Sequence, residues 1–383
     1  MVRTAEPPRT IQPIALDAMG GDLGVQPLIE GALQAVLQDG AVVVVVGDPA
    51  ARAWLDALSG QHASPAAPNG LAGGLKITGY NLQVAAARDQ GRLQFVDAKD
   101  IVTMDDKPAA AVRHKKQSSM RIACDLVESG KAAAVVSVGN SGAMMANASF
   151  VFGRLPRVVR PAIGTVLPSF APQKRTLLVD AGANSLCEPL HLAQFGVLGS
   201  VYLEHAFGQQ RPAVAVLSNG EEDHKGTPLT REALALLKRT DLHVLGFCEG
   251  RDLNEGTVHV VVTDGFTGNV VLKAAEGVFS FMGRVIKETF EQGSVIDKVG
   301  GLLSKPGWAR IKEELDPREF GAAPLLGLRR PAFIAHGKSD AHAVRSAIRA
   351  ARRFVENDVT AHMAAAIERN AAVWTTTTTT TAA

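Results

Sequence analysis

Nine short apolar runs, crowded with Val, Ile, Leu and Ala, recur along this chain. Each leads into a Gly-, Asp- or Pro-bearing turn ahead of the next segment. They are PIALDA (13–18), AVVVVVGD (41–48), LQFVDA (93–98), AAAVVSVG (132–139), AIGTVLP (162–168), TLLVDAG (176–182), PAVAVLSNG (212–220), LHVLGFCEG (242–250) and VHVVVTDG (258–265). Their hydrophobicity is continuous rather than alternating, which describes strands covered on both faces. Segments of helical spacing lie between them, so the pattern predicts a layered α/β/α fold with a mostly parallel sheet.

In such sheets ligands gather outside the carboxyl ends of the strands, so the turns that follow the runs carry the functional information. Four are polar and glycine-rich. DAMGGDLG (17–24) brings Asp17, Gly20 and Gly21 to the end of the first strand, ahead of a helix with Pro27 in its first turn. SVGNSGAMM (137–145) places Asn140, Ser141 and Gly142 at a helix start, and TDGFTGNVVLKAAEG (263–277) puts Asp264, Gly265, Gly268 and Asn269 before a long helix. Glycine lets a backbone approach closely, and the free N–H groups of a helix start attract an anion. The same residue types are ordinary turn and N-cap residues, so it is their convergence that points to phosphate binding. None of them spells GxxxxGK[ST] or GxGxxG, so no nucleotide motif is present.

The fourth turn, LSNGEEDHKGT (217–227), sets Glu221, Glu222, Asp223, His224 and Lys225 in a row. Such a cluster suits a metal site, an acid/base pair or a charge-balanced anion site. A metal would draw on Asp17, Asp22 and Asp264 as further ligands, but Lys225 would compete with it, and no metal is expected. A basic run, VRHKKQSSMR (112–121), precedes a helical segment for which Ser118 or Ser119 is the expected N-cap. Arg113, Lys115, Lys116 and Arg121 in that run read either as a solvated turn or as a seat for an acidic ligand or partner.

Composition narrows the classes. Among 383 residues the net charge is +2 and aromatics are 5%, which disfavours a nucleic-acid binder. Cys124, Cys187 and Cys248 are far apart without CxxC spacing, so buried apolar packing in a reducing compartment is expected rather than a disulfide framework, with a catalytic thiolate the lesser reading. The N-terminus is polar and Pro-rich, and there is no uncharged apolar run of about 18 residues, so a cytoplasmic location is expected. The expected organisation is a flexible 1–12, one α/β catalytic unit over 13–350, a helix over 351–373 and a low-complexity tail from Trp374. A flexible insertion is expected at 59–74.

Taken together, ALDAMGGD, DKPAAAVRHKKQSSM, VSVGNSGAMMA, RPAIGTVLP, LLVDAGAN, LSNGEEDHKGT, DGFTGNVVLK, GAAPLLG and IAHGKSDAHAV resemble, in order, the bacterial acyl-ACP:phosphate acyltransferases of phospholipid synthesis, the PlsX family. The resemblance runs from about Ile14 to Ala350, with departures at Ala322 and His114. It implies a phosphotransacetylase-like and isocitrate-dehydrogenase-like fold, a homodimer, and transfer of a fatty acyl group from acyl-ACP to inorganic phosphate. No cofactor is implied. The implied partners are acyl carrier protein, phosphate, an anionic membrane surface and a downstream glycerol-3-phosphate acyltransferase.

Phosphate is the nucleophile and a thiolate the leaving group in such a reaction, so no Ser-His-Asp or Cys-His signature is needed. The expected roles follow from that. Lys225 neutralises phosphate or the developing oxyanion, His224 orients phosphate or relays a proton, Glu222 holds one of these two, and Asn184 is a candidate hydrogen-bond donor. Arg113, Lys115, Lys116 and Arg121 would meet the carrier. Two other functions fit the residues: a metal- and NAD-dependent hydroxy-acid dehydrogenase of the same fold, and a non-catalytic membrane scaffold that binds the carrier.

GSVIDKVGGLLSKPGWARIKEEL (293–315) is the remaining feature. Val295, Ile296, Val299, Leu302 and Leu303 fall at helical spacing, and Lys298, Lys305, Arg310 and Lys312 outnumber Asp297. Gly300-Gly301 and Pro306-Gly307 are expected to break it into two short helices. A basic tip with an apolar face suits either a dimer contact or an anionic membrane; the resemblance favours the membrane, with Val299, Leu302, Leu303 and Trp308 in contact.

Overall fold

The computed structural model describes residues 12–58, 81–170, 175–314 and 321–375. The chain opens β1 (Ile14–Asp17), α1 (Gln26–Gln38), β2 (Val43–Gly47), α2 (Pro49–Leu58), α3 (Asn81–Asp89), β3 (Leu93–Asp97), α4 (Pro108–His114), α5 (Ser119–Glu128), β4 (Ala134–Ser137) and α6 (Ser141–Phe152). It continues β5 (Ala162–Pro168), β6 (Arg175–Val179), α7 (Pro189–Phe207), β7 (Ala213–Leu217), α8 (Pro228–Leu237), β8 (His243–Cys248), α9 (Asp252–Glu255) and β9 (Val260–Val262). Last come α10 (Gly265–Gln292), α11 (Val295–Glu314), β10 (Ala323–Leu326), β11 (Ala332–Ile334), α12 (Ala341–Glu356), α13 (Val359–Arg369) and α14 (Ala371–Thr375).

All nine apolar runs are strands. β10 and β11, at four and three residues, are too short to show a period and were not legible. In place of one unit over 13–350, the residues gather into two. The first joins the chain up to Gly153 with Leu328–Glu356, and the second joins Arg154–Gly327 with the chain from Asn357. The chain passes from one to the other three times, so each unit is discontinuous in sequence and no linker composition marks the change.

The first unit has strand order β3-β2-β1-β4-β11, parallel throughout. Every residue of β1, β2 and β4 is buried, as their continuous hydrophobicity requires. On this sheet α1 lies beside α12, joined by the two-pronged grip of Arg345 Nε and Nη2 on Asp39 at 2.7 and 2.6 Å.

The second unit has order β10-β5-β6-β9-β7-β8. Its β6, β9, β7 and β8 are parallel, while β5 runs antiparallel to both β6 and β10. α7 is buried without a break from His191 to Leu203, the signature of a core helix that is apolar on all sides.

Two helix expectations change. α11 is a single helix containing Gly300, Gly301 and Pro306, and its Trp308 ring meets Phe290 of α10 edge-on at 6.1 Å. Gly301 allows this pairing, because a Cβ there would lie 2.8 Å from Phe290 Cγ, so this glycine serves contact rather than termination. The helix expected over 351–373 is the end of α12 plus α13 and α14, interrupted where Asp358 takes the left-handed φ of 46°. Trp374, expected to begin the tail, is buried in α14 and donates its Nε1–H to the Ile367 carbonyl at 2.9 Å. Residues 1–11, 59–80 and 376–383, with most of the expected terminal segments and the 59–74 insertion, lie outside the described residues.

Candidate active site

In the first unit, β1 and β4 pair in parallel with Asp17 opposite Ser137, so their turns open at one edge. Asp17 is almost fully buried. Its Oδ1 accepts from the Ser119 hydroxyl at 2.5 Å and the Met19 N–H at 3.2 Å, and its Oδ2 accepts from Ser137 at 2.7 Å. Burial pushes the carboxyl up to about 6, while these three donors pull it back. A group so enclosed cannot touch a solvent-borne phosphate. Asp17 is therefore a tie between β1, α5 and β4, which corrects its expected place among the phosphate ligands.

Asn140 also has a different task from the one expected. Its Oδ1 caps α6 by accepting from the Ala143 N–H at 3.0 Å, and its Nδ2 donates to the carbonyls of Thr103, Met104 and Asp106 at 3.3, 3.0 and 3.1 Å. That amide is fully engaged inside the protein. Ser141 is exposed, and the amides of Ser141 and Gly142 have no partner among the described residues, so the start of α6 is open. Gly20, at φ 87°, lies against the Val102 carbonyl, where a Cβ would come within 2.9 Å. Gly21 lies beside Val138, and the Asp22 N–H donates to the Gly337 carbonyl at 2.8 Å. That bond brings in the turn after β11, with exposed His336 and Lys338, which pattern reading missed although IAHGKSD was in view.

The basic run divides. Ser118 is the N-cap of α5, accepting from the Arg121 N–H at 3.3 Å. Lys115 is bound to Asp106 at 2.5 Å, and Arg121 pairs with Asp125 at 3.0 Å while lying 5.3 Å above the Phe150 ring. Arg113 and Lys116 are exposed, with no ion-pair partner among the described residues.

In the second unit the parallel β6, β9 and β7 bring their following turns to one edge. Asp180, just beyond β6, is a buried hub that reading by composition passed over. Its Oδ1 accepts from the N–H groups of Ile163, Gly182 and Ala183, and its Oδ2 from the Asn184 N–H and Nδ2 at 2.7 and 2.8 Å. Burial raises its pKa against those bonds. The signal was the sequence Asp-Ala-Gly-Ala-Asn, an acid whose side chain can gather the amides of the turn that follows it. Asn184 Nδ2 also donates to the Pro161 carbonyl at 2.8 Å, so its expected role as a donor to substrate gives way to that of a brace.

Asn184 O accepts from the Gly265 N–H at 2.8 Å, which takes up the first donor of α10. Asp264 Oδ1 accepts from the Thr267 N–H at 2.9 Å, and the Asp264 carbonyl takes the Gly268 N–H at 2.9 Å. A Cβ on Gly265 would lie 2.7 Å from Asn184 N, and one on Gly268 would lie 1.9 Å from Asp180 O. Asp264, Gly265 and Gly268 are thus packing and capping residues, not the phosphate cradle expected, and among the expected residues of this turn Asn269 is left exposed.

The turn after β7 sorts its five charges. Glu221 pairs with Arg251 and Asp223 with Lys238, both at 3.3 Å and both exposed. Glu222, His224 and Lys225 have no ion-pair partner among the described residues. Glu222 and Lys225 flank Gly220, whose Cβ would lie 2.7 Å from Glu222 Oε2 and 2.9 Å from Lys225 Cγ. The loop is shaped by the Lys225 N–H donating to the Glu222 carbonyl at 2.9 Å and the Gly226 N–H donating to Asn219 Oδ1 at 3.1 Å. Cys187, half-buried beside Gly265, has its thiol pushed up to about 11 by burial, and Cys248 to about 12, so neither is a thiolate near pH 7.

The described residues thus form a mostly parallel α/β protein that leaves Lys225 and His224 without ion-pair partners at a strand end. The family described as "Fatty acid synthesis protein" matches residues 78–362, and the chain belongs to it. It is 44% identical over 363 residues to "Phosphate acyltransferase" of Myxococcus xanthus (strain DK1622), covering 94% of this chain and 95% of that one. It is 41% identical over 358 residues to "Phosphate acyltransferase" of Geotalea uraniireducens (strain Rf4), covering 93% and 94%. The chain is an acyltransferase. Among solved structures it is similar to the EutD phosphotransacetylase from Staphylococcus aureus, with 17% identity, a TM-score of 0.49 and coverage of 89% and 94%.

Proposed function

We propose that this acyltransferase carries a fatty acyl group from acyl-ACP to inorganic phosphate and releases acyl phosphate for phospholipid synthesis. A phosphate oxygen attacks the thioester carbonyl carbon and forms the new C–O bond. The oxyanion that develops collapses, the C–S bond breaks, and the carrier leaves as a thiolate that takes a proton. Lys225 neutralises the charge that gathers on phosphate and carbonyl oxygen, His224 orients phosphate or supplies the proton, and Glu222 fixes one of them. The observation that carries this reading is the sorting of the 218–227 turn: its flanking carboxylates Glu221 and Asp223 are paired, while His224 and Lys225 are left without ion-pair partners among the described residues. Within the first unit Gly20, Gly21, Ser141 and Gly142 are proposed as an anion-binding edge; within the second, Asn269 is proposed as a polar contact on its own edge.

Arg113 and Lys116 are the proposed carrier contacts, since exposed cations act on an acidic partner through encounter and salt dependence. A homodimer is proposed from α10, where Val278, Phe281, Met282 and Val285 are all at least 40% exposed and repeat at the spacing of a helix seam. Peripheral attachment to anionic membrane is proposed through Val299, Leu302 and Leu303 of α11, which are 51%, 70% and 77% exposed on one face. Trp308 leaves that surface, being half-buried against Phe290. Among the described residues no helix is long and apolar enough to cross a membrane.

The reaction is tested by incubating purified protein with acyl-ACP and phosphate. Acyl phosphate and free carrier thiol should appear in equal amounts, both dependent on phosphate and unaffected by chelator. Carrier binding without turnover would leave only the scaffold reading. Leu302→Asn with Leu303→Asn should release the protein from anionic vesicles without loss of soluble activity. A change of oligomeric state in that variant would place α11 in the dimer instead.

A further inference from the structure

The segment between β3 and α4 is held down at unusual density for an irregular loop. Gln117 O accepts the N–H groups of Lys99 and Asp100 at 3.0 and 3.1 Å, and Asp100 Oδ2 accepts the Gln117 N–H at 3.2 Å. The Asn140 amide donates to three carbonyls, those of Thr103, Met104 and Asp106. Lys115 Nζ donates to the Ile101 carbonyl at 2.7 Å and to Asp106 Oδ2 at 2.5 Å. Asp106 Oδ2 also accepts the Thr103 N–H and hydroxyl at 2.7 and 3.1 Å, so one carboxylate oxygen links the lysine to the turn. Both clamps come from elements that the reading above uses: Asn140 caps the open helix α6, and Lys115 belongs to the basic run.

What the segment covers gives this its meaning. The Val102 carbonyl lies against Gly20, and the Met104 methyl lies against Gly337, so 101–106 rests on the turns after β1 and β11. Ile101 and Met104 are nonetheless 44% and 45% exposed, so the strap that touches Gly20 and Gly337 also presents apolar side chains to solvent. A loop with exposed apolar side chains would not keep that place by packing alone; its polar clamps fix it.

We propose that Lys115 is a positioning residue that latches the 101–106 strap onto the glycine turn of the phosphate-side edge, and is not a contact for the carrier. This assignment separates Lys115 from Lys116 and Arg113, which no described group holds. It rests on the acyl-transfer reading above. The strap sets the backbone around Gly20 and presents Ile101 and Met104 to the acyl donor, so loss of the latch affects every thioester alike.

The test uses the full-length protein and compares Lys115→Met, Lys115→Arg, Asp106→Asn and Lys116→Glu. Each is assayed with acyl-ACP, with a small acyl thioester and across a phosphate titration. Amide hydrogen exchange is followed at residues 102–106. Lys115→Met should speed exchange at Thr103 and Asp106 by tenfold or more. It should lower kcat/KM for both donors by the same 10- to 100-fold factor, raise the KM for phosphate, and leave the ratio between donors with its wild-type dependence on salt. Lys115→Arg, which still donates to Asp106, should recover most of this, and Asp106→Asn should reproduce the loss if Lys115→Met does not fold. Lys116→Glu should lose more with the carrier-linked donor than with the small one, and the difference should shrink as salt rises. A loss in Lys115→Met confined to acyl-ACP, or unchanged exchange at 102–106, would overturn the latch. A wild-type protein inactive on both donors would overturn the acyl-transfer reading instead, while the exchange measurement still decides whether Lys115 latches the strap.

Discussion

α6 and α10 begin alike: a buried parallel strand, a short turn, a capping residue with a side-chain acceptor, then a helix with glycine in its first turn. Asn140 caps the first and Asp264 the second, each accepting from the backbone N–H three residues on. Their chemistry differs. At α6 the amides of Ser141 and Gly142 are left facing out, while at α10 the Asn184 carbonyl takes the Gly265 N–H and the Asp180 turn presses against Gly268. The comparison teaches that a helix start is an anion site only when no neighbouring backbone has already claimed its donors. Glycine spelling is the same for an open cradle and for close packing.

The sharpest way to break the comparison is to add a methyl at each glycine. Gly268→Ala must displace the Asp180 carbonyl, which lies 1.9 Å from where the Cβ would fall, and should cost on the order of 4 kcal/mol or more, or prevent folding. Gly142→Ala meets only the Pro108 ring at 2.9 Å and should cost about 1 kcal/mol. Denaturant midpoints for the two variants check this, and equal midpoints would mean that α10 is as open as α6.

Next in size is Lys225→Ala. Removal of one charge-stabilising donor typically costs about 100- to 1,000-fold in turnover, and an unpaired, half-exposed lysine contributes little to packing. Activity should fall by that factor while the unfolding midpoint stays put. Wild-type turnover at low phosphate would remove Lys225 from the proposed role.

Asp17 gives an effect of intermediate size. Its native pKa of about 6 lies above its ordinary value of 3.8, so the folded state binds the proton more tightly than the unfolded chain. The stabilisation from that proton is fully present below the unfolded value and is lost as pH rises through about 6. Between pH 4 and pH 6 the wild type should lose on the order of 2 kcal/mol that Asp17→Asn does not lose. Parallel stability curves for the two proteins would show that the carboxyl is not held in this way.

The smallest effect sharpens the comparison most. Ser141→Asp adds a negative charge at the open start of α6, where the helix dipole welcomes it, so stability should rise by about 0.3–1 kcal/mol. An anion bound there would be repelled, and the KM for phosphate should increase by about tenfold. A rise in stability with an unchanged KM would remove Ser141 and Gly142 from the proposed site.

Much of the architecture was written in the chain. Val43–Gly47 and Val260–Val262 read as strands buried on both faces, because four and three consecutive valines leave no polar side for water. The cap at Ser118 was legible for the same local reason, since it acts on an amide three residues away; Asn140 and Asp264 cap in the same way but read as phosphate contacts, because the residue types for the two tasks are the same. Burial and partnership depend on what lies opposite, and that is set by residues distant in sequence. Asp17 and Asp180 became enclosed hubs because Ser119, Ser137 and Ile163 reach them across 102, 120 and 17 residues. Lys115 and Lys116 are identical as letters; the fold turned one into Asp106 and left the other to water. Sequence determined which segments are strands and helices and which turns could hold an anion. Tertiary structure decided which of those turns still has donors to offer, since a hydrogen bond made within the protein is one no substrate can take.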